Sequence, residues 1–526
     1  MPEKTNLTLP RIIDFLPGEC WWGGRAADGI SMPFVAGSEI AMPLHSDGRM
    51  NQAAPLFISS KGRSLWSERP FAIKFAGGKI HLSGSVHPVV MEEGNASMAD
   101  ALRSVARNHF PASGQIPPEV FFTAPQYNTW IEMTHLPTQE KVLEYARGII
   151  ASGLPPGVLM IDAGWAAYWG EMEFHPGRFP DPRGLVDALH GMGFTVMLWV
   201  SPFISADSIL FRQWRNEEGW LLRDRQGRPA VIEWWDGHSA HLDITHPPAL
   251  EWLRGELESL RERYGIDGFK FDAGDTEQFL HRPASWLDAQ PVDFTEIWAR
   301  FAASFPCNEL RACWKLGGTP IVQRLHDRAP SWGEAGLGSI IPNAIAQGLL
   351  GHSFICPDMV GGGDYLVFKE IKNVDEEMFV RWAQASALFP MMQISCAPWR
   401  VLSAGSMDLI RKVVELRMRF VPLIIDLARE CAISGEPMLR SMEYAFPGRG
   451  YEGIKDQFLL GEGLLVAPVL ESGARARSVT LPPGRWRDPS GRVHEGACRI
   501  EVSASLDTLP YFEAEQAMKR SSQEIP

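Results

Sequence analysis

The sequence predicts an α/β protein: a (β/α)8 TIM barrel with an N-terminal β-sandwich before it and a C-terminal β-domain after it. Three observations carry this. From Glu119 to about residue 400, strand-like and helix-like segments alternate, which is the pattern of a parallel sheet with crossover helices. The strand-like segments number eight, as a closed barrel of this length requires. On either side, short apolar runs of period two, separated by Gly, Pro, Asn and Ser, replace that pattern.

Residues 1–117 carry SEIAMPL, APLFISS, FAIKFAG and KIHLSGS, which read as sandwich strands. CWWGG at 20–24 reads as a turn with two large rings, either packed in a sandwich corner or reaching toward a cleft. Pro111 and the pair Pro117 and Pro118 punctuate the chain. Residues 118–420 form the barrel, with strands at EVFFTA, VLMID, TVMLWVS, IDGFKFD, ELRACW, PIVQRLH, SFICPD and PMMQIS. Helical stretches such as TQEKVLEYARGIIAS and PPALEWLRGELESLRERY lie between them, with Gly or Pro near many ends. An insertion at about 204–245, after the third strand, reads as a hairpin subdomain over the barrel mouth. After about 420 the helical period fades, and 421–526 returns to short strands such as DQFLLGEGLLVAPVL and ARARSVTLP.

Composition narrows the function classes. The formal charge of -13, from 50 Lys+Arg against 63 Asp+Glu, leaves no basic stripe for nucleic acid and no polybasic membrane patch. Seven cysteines, an odd number with no CxxC, suit reduced thiols in a cytosol. The first residues lack the apolar run of a signal peptide, and no stretch has about twenty consecutive apolar residues, so the expectation is a soluble cytoplasmic protein. Many of the nineteen tryptophans lie beside turns, where an aromatic face suits the apolar face of a sugar ring.

The stretch YGIDGFKFDAGD, 264–275, organises the chemistry. Its strand ends at Asp272, and Lys270, two residues earlier, shares the same face. A carboxylate beside a cation stays ionised, so Asp272 is a candidate nucleophile; the alternative is a helix cap paired with Lys270. Other strand ends present Asp162, Trp199, Arg311, Asp327 and Asp358 to the same barrel mouth. Two carboxyls flanking a scissile bond are what glycoside hydrolysis needs. The acid of such a pair is kept protonated by burial or a neighbouring negative charge, and Asp327 lies near His326, Arg328 and Trp332. No HxxxH or HExxH spacing suggests a metal, and GGG at 361–363 lacks the dinucleotide register.

These stretches resemble glycoside hydrolase family 31, the retaining α-glycosidases. DGFKFDAGD resembles the family's nucleophile strand, with Asp272 in the nucleophile's place. RACWKLGGTPIVQRLHD resembles the segment from the substrate-binding Arg to the acid/base Asp, here Arg311 and Asp327, separated by 327 - 311 = 16 residues. Asp358 in PDMVGG stands where the family has its DIGGF aspartate, and DQFLLGEGLLVAPVL resembles the start of its proximal carboxy-terminal domain. Lys270 stands where α-glucosidases usually carry Trp, and MQISCAPW around Ser395 lacks their RNH histidine. With WWDGHSAHLD and LHDRAPSWG, these departures look most like an α-galactosidase-type branch of the family.

The resemblance implies a retaining exo-α-glycosidase in which Asp272 attacks the anomeric carbon and Asp327 serves as acid and then base, the two carboxyls about 5–5.5 Å apart. It implies that Asp162, Lys270, Arg311 and Asp358 hold ring hydroxyls, that Trp199 and Trp332 wall the pocket, and that no metal or organic cofactor is used. The expected substrate is a small molecule or oligosaccharide with a terminal α-linked hexose, an α-galactoside first, with an α-glucoside or a modified glycone behind it. A silent carbohydrate-binding barrel, or a metal-dependent hydrolase with Asp162, Asp272 and Asp358 as ligands, are the rival readings. Neither nucleic acid nor membrane is expected as a partner, and a homo-oligomer is compatible with the sequence.

Overall fold

The computed structural model describes residues 2–45, 52–368 and 373–515. Its centre is a ring of eight parallel strands: β1 (Gln126–Asn128), β2 (Val158–Ile161), β3 (Thr195–Val200), β4 (Gly268–Phe271), β5 (Asn308–Leu310), β6 (Val322–Arg324), β7 (Ile355–Cys356) and β8 (Gln393–Ile394). Each pairs with the next in sequence up to β7, and β8 returns to β1. Between β7 and β8 the ring closes through irregular backbone. The Met391 amide donates to the Ile355 carbonyl at 3.2 Å, and the Val360 amide to that of Gln393 at 2.8 Å.

Parallel neighbours require crossovers, and helices supply most of them. Gln139–Ala151, Pro182–Gly191, Pro247–Tyr264, Pro291–Ala303, Ile340–Leu349 and Glu376–Ala387 follow β1, β2, β3, β4, β6 and β7. Their limits are written locally. In Pro247–Tyr264, prolines open the first turn, where no amide partner is lost, and Gly265 ends it at φ 80. Ala249, Leu253, Leu257 and Leu260 are its buried face.

Several expectations are corrected. EVFFTA is not the first strand: Val120–Thr123 is a single helical turn, and β1 starts beyond Pro125. Its apolar run is buried because Phe122 packs edge-on to Phe354, 6.0 Å between ring centres. ELRACW is two strands: after β5, Cys313–Trp314 leaves the barrel and pairs in parallel with Gln52–Ser59 of the N-terminal domain. CWWGG is no turn either, because Trp21–Arg25 is a fully buried strand paired with Gln52–Ser59. Gly23, at φ 137, lies so close to the Leu56 carbonyl that no Cβ fits. The helical period does not fade at 420. Helix Ala404–Ser434 runs on, with Phe420, Ile424, Leu427, Ala428 and Cys431 continuing its buried stripe.

The N-terminal part forms two antiparallel sheets, Trp21–Arg25, Gln52–Ser59, Ser64–Trp66, Val89–Glu93 and Glu3–Leu7 in one, Arg11–Asp14, Lys79–Ser83, Ala72–Ala76 and Ile40–Pro43 in the other. Helix Met98–His109 follows them. The C-terminal part is also antiparallel, built on Phe458–Leu460, Leu464–Val466 and Tyr511–Ala514. The insertion is a three-stranded sheet, in which Gly237–His241 pairs with Ile232–Trp234 and Phe203–Ile204, plus helix Ile209–Trp214. All seven cysteines are free. Among the described residues no helix is long and apolar enough to cross a membrane.

Helix Ala404–Ser434 is locked to the barrel by Arg417, which is fully buried and donates to the carbonyls of Phe122, Ala387, Phe389 and Pro390 at 2.8–3.0 Å. Arg417→Met keeps the bulk and removes the donors. Each carbonyl left without a partner costs about 1–3 kcal/mol, so urea unfolding should show a markedly lower midpoint for the variant.

Candidate active site

The chemistry collects at the C-terminal edge of the barrel, beginning where β4 ends. Asp272 follows β4 directly, its amide donating to the Val200 carbonyl at 2.9 Å. Ala273 at φ 58 and Gly274 at φ 75 then turn the chain away, leaving the carboxyl at the mouth. Its Oδ1 accepts from Arg311 Nε at 2.8 Å and from the Ala273 amide at 2.9 Å. Its Oδ2 accepts from Trp199 Nε1 at 2.8 Å and lies 4.0 Å from Lys270 Nζ. Burial pushes this carboxyl up, but Arg311, Lys270 and Arg324 together outweigh burial and hold it well below the usual carboxylate range.

Each cation beside Asp272 has a further carboxylate. Lys270 Nζ donates to Asp162 Oδ2 at 2.7 Å, and Arg311 Nη2 to Asp275 Oδ2 at 2.6 Å. The Arg311 guanidinium also lies 4.9 Å from the centre of the Trp235 ring, so the insertion's hairpin tip roofs this side of the mouth.

A second group is built around Arg324 at the end of β6. Its Nη1 donates to Asp327 Oδ1 at 2.7 Å and to Asp358 Oδ1 at 2.8 Å, while its Nε faces Glu309 Oε1 at 3.3 Å. Asp358 holds a left-handed backbone, φ 81, and its Oδ2 accepts the Arg328 amide at 2.8 Å. Burial raises the Asp358 carboxyl, with Arg324 opposing and Asp327 adding to the rise. The two aspartates differ in access: the Asp327 side chain is 39% exposed and that of Asp358 is 0%. Asp327 is therefore the one open to a ligand. Burial, then Arg328, Arg311 and Arg324, hold the His326 imidazole down at about 2, so it is neutral at pH 7.

Three glycines make room for this group. A Cβ on Gly361 would meet the Phe379 ring at 2.8 Å, and one on Gly362 the Arg328 carbonyl at 2.5 Å. On Gly363 it would stand 2.9 Å from Asp358 Oδ1 and 3.1 Å from Asp327 Oδ1. Of the GGG run, Gly363 thus serves close approach to the two carboxylates, Gly362 to the Arg328 backbone and Gly361 to the Phe379 ring.

Of the residues singled out in the sequence, Asp162, Trp199, Lys270, Asp272 and Arg311 come together in one hydrogen-bonded set, and Asp327 and Asp358 in the other. Trp332 donates to Asp375 Oδ2 at 2.9 Å, at the start of helix Glu376–Ala387. Ser395 is fully buried and accepts the Ile131 amide at 2.8 Å. Sequence reasoning missed Asp275, Glu309, Arg324 and Trp235. Strand parity offered one signal, since Glu309 precedes Arg311 by two residues as Lys270 precedes Asp272. Among the described residues no cluster of three or more His, Cys, Asp or Glu is arranged to hold a metal ion. Asp162, Asp272 and Asp358 are each met by a cationic side chain instead.

The model of the glycosyl hydrolases family 31 TIM-barrel domain matches residues 115–301 and 326–427, and that of the family's C-terminal domain matches 435–517. The chain is 33% identical to myogenesis-regulating glycosidase of Mus musculus over 78% of its length, and 25% identical to alpha-glucosidase 2 of Bacillus thermoamyloliquefaciens over 71%. It spans 58% and 50% of those two relatives. Its fold matches the Flavobacterium johnsoniae GH31 dextranase with a TM-score of 0.81 at 20% identity, covering 97% of this chain and 66% of that one.

Two outcomes are expected from this geometry. Gly363→Ala should part the Asp327 and Asp358 carboxylates, seen as a wider separation of their Oδ1 atoms in a crystal structure of the variant, with far-UV circular dichroism unchanged. The second concerns pH. A carboxyl depressed in the folded state stabilises the protein above its unfolded pKa of about 3.9 and loses that contribution as pH falls toward the folded value. The stability gap between the parent and Asp272→Asn should therefore be constant from neutral pH down to about 5 and shrink below about 4, as read by urea unfolding across pH.

Proposed function

The chain belongs to glycosyl hydrolase family 31, and from that premise we propose that it is a retaining exo-α-glycosidase working through Asp272 and Asp327. The observation that carries this is the contrast between the two carboxyls. Asp272 is kept charged by Arg311 and Lys270 with little water around it, whereas Asp327, just past β6 and so two strands along the ring, keeps an open side chain. A charged, fixed carboxylate suits attack on the anomeric carbon. Asp327 first gives a proton to the leaving oxygen and then takes one from the water that releases the sugar.

The substrate in this reading ends in an α-linked hexose, an α-galactoside first and an α-glucoside second. The Lys270 ammonium, paired with Asp162, sets a donor and an acceptor side by side where an α-glucosidase carries an indole. A hydroxyl of the wrong epimer would not reach this donor and acceptor, which is a basis for selection. The named relatives include an alpha-glucosidase, which keeps the α-glucoside in the comparison.

Proton NMR of the first product from aryl α-galactoside and aryl α-glucoside tests the reading. The α-anomer should form first, and the galactoside should turn over faster. Asp272→Ala should lose on the order of 10^4-fold or more in kcat. Asp327→Ala should lose about 10^2–10^4-fold on a poor leaving group and much less on a dinitrophenyl glycoside, which leaves without protonation. A β-anomer as first product, or an active Asp272→Ala variant, would sink the mechanism.

A further inference from the structure

One end of the insertion roofs the mouth with Trp235; the other end has no part in that site. There the turn Asp224–Arg228 faces the loop 282–290 that follows β4, and two hollows of about 820 and 510 Å3 adjoin them. Both volumes fall in the range of small-ligand sites.

The surface between them is built rather than loose. Arg223 and Ala284 exchange backbone hydrogen bonds of 2.9 and 2.7 Å, which fasten the turn region to the loop. Trp286 gives its amide to Asp243 Oδ2 at 2.6 Å, and its ring centre lies 4.5 Å from that of His246. The residue is nevertheless 57% exposed. The indole leans on the His246 imidazole, 47° between the ring planes, and more than half of the residue's surface stays open to an apolar sugar face.

The charges beside the platform point to the kind of sugar. Arg225 lines both hollows and Arg282 lines the smaller one, and among the described residues neither guanidinium has a carboxylate partner. Arg228, by contrast, is paired with Asp224 at 2.8 Å. Arg282 holds a left-handed backbone, φ 49, which is uncommon outside glycine and fixes where its side chain leaves the loop. The two hollows are also lined by Glu218, Asp224, Asp243 and Asp288, but Arg215, Arg223, Arg225, Arg228 and Arg282 outnumber them, so the lining is net positive in a chain of net charge -13. Each guanidinium is a planar fork suited to a carboxylate or sulfate.

We propose that this groove is a second saccharide site, taking an oligosaccharide that carries carboxylate or sulfate groups, with Trp286 under an apolar sugar face and Arg225 and Arg282 on the anions. A second copy of the chain is a poorer occupant. In a two-fold contact the same patch meets itself, a net positive lining against its own copy. Binding here needs no turnover, so the site stands or falls independently of Asp272 and Asp327.

The test is isothermal titration of the full chain with three probes: oligogalacturonate, a dextran sulfate oligosaccharide and maltoheptaose. One or both acidic probes should bind, identifying the anion, and maltoheptaose should not. Trp286→Ala, and separately the Arg225→Ala/Arg282→Ala pair, should each weaken binding by at least about tenfold. Hydrolysis of a small aryl α-glycoside by these variants should stay at the parent rate. Equal affinity in parent and variants, or maltoheptaose binding as tight as the acidic probes, would overturn the proposal. So would a change of oligomeric mass on light scattering in either variant, which would mark the groove as a contact between copies.

Discussion

Everything at the barrel mouth depends on keeping Asp272 charged where little water reaches it. Taking a carboxylate out of water costs several kcal/mol unless cations and donors replace the solvent. Arg311, Lys270 and the Trp199 indole do so here. The cations in turn need partners, which is why Asp162 and Asp275 stand behind them. Arg324 repeats the arrangement with Asp327, Asp358 and Glu309. Because the partners come from different strands, charge compensation also sets position. Lys270 ties the end of β4 to that of β2, Arg311 ties β5 to β4, and Arg324 ties β6 to both β5 and β7. This matters most where the ladder is weakest, since β7 and β8 have only two residues each. Strands that short cannot hold a register by backbone bonds alone.

The sequence showed most where strand parity and turn chemistry coincide. Lys270 and Asp272 share a face, and Ala273 and Gly274 then end the strand, so the carboxyl had to lie at an edge. The same logic reached Asp162, Arg311 and Asp358. It stopped short of Glu309 and Arg324, because a barrel interior is usually filled by branched apolar side chains and a polar residue in a strand reads as solvent-facing. Here both are buried, and their charges meet only in three dimensions, while Glu309 takes its hydrogen bond from Gln393 and Arg324 gives its own to Asp327 and Asp358. EVFFTA misled for a related reason: a short apolar run is buried equally well as a helical turn or as a strand, and periodicity cannot separate the two. Trp21 to Gly24 looked like a turn because paired glycines usually mark one. In the fold Gly23 marks instead a backbone approach to Leu56 within a sheet.

The placement of these arginines is not a property of the barrel alone. After β5 the chain leaves the ring, and Cys313–Trp314 joins the N-terminal sheet beside Gln52 and Ala53. Gln52 is fully buried, and its Nε2 donates to the carbonyl of Arg311 and, at 3.0 Å, to that of Arg324. One amide from the N-terminal domain thus bonds the backbone of both guanidinium residues, one serving Asp272 and the other Asp327 and Asp358. A shift of that sheet relative to the barrel would move the two arginines together, and the carboxylates with them. The close approach of Gly29 to Pro342, together with the Ile30 amide bonded to Asn343 Oδ1 at 3.0 Å, resists such a shift from a second direction. The N-terminal sheets are therefore part of the active-site scaffold: they set the relative position of the two arginines that hold the paired carboxyls.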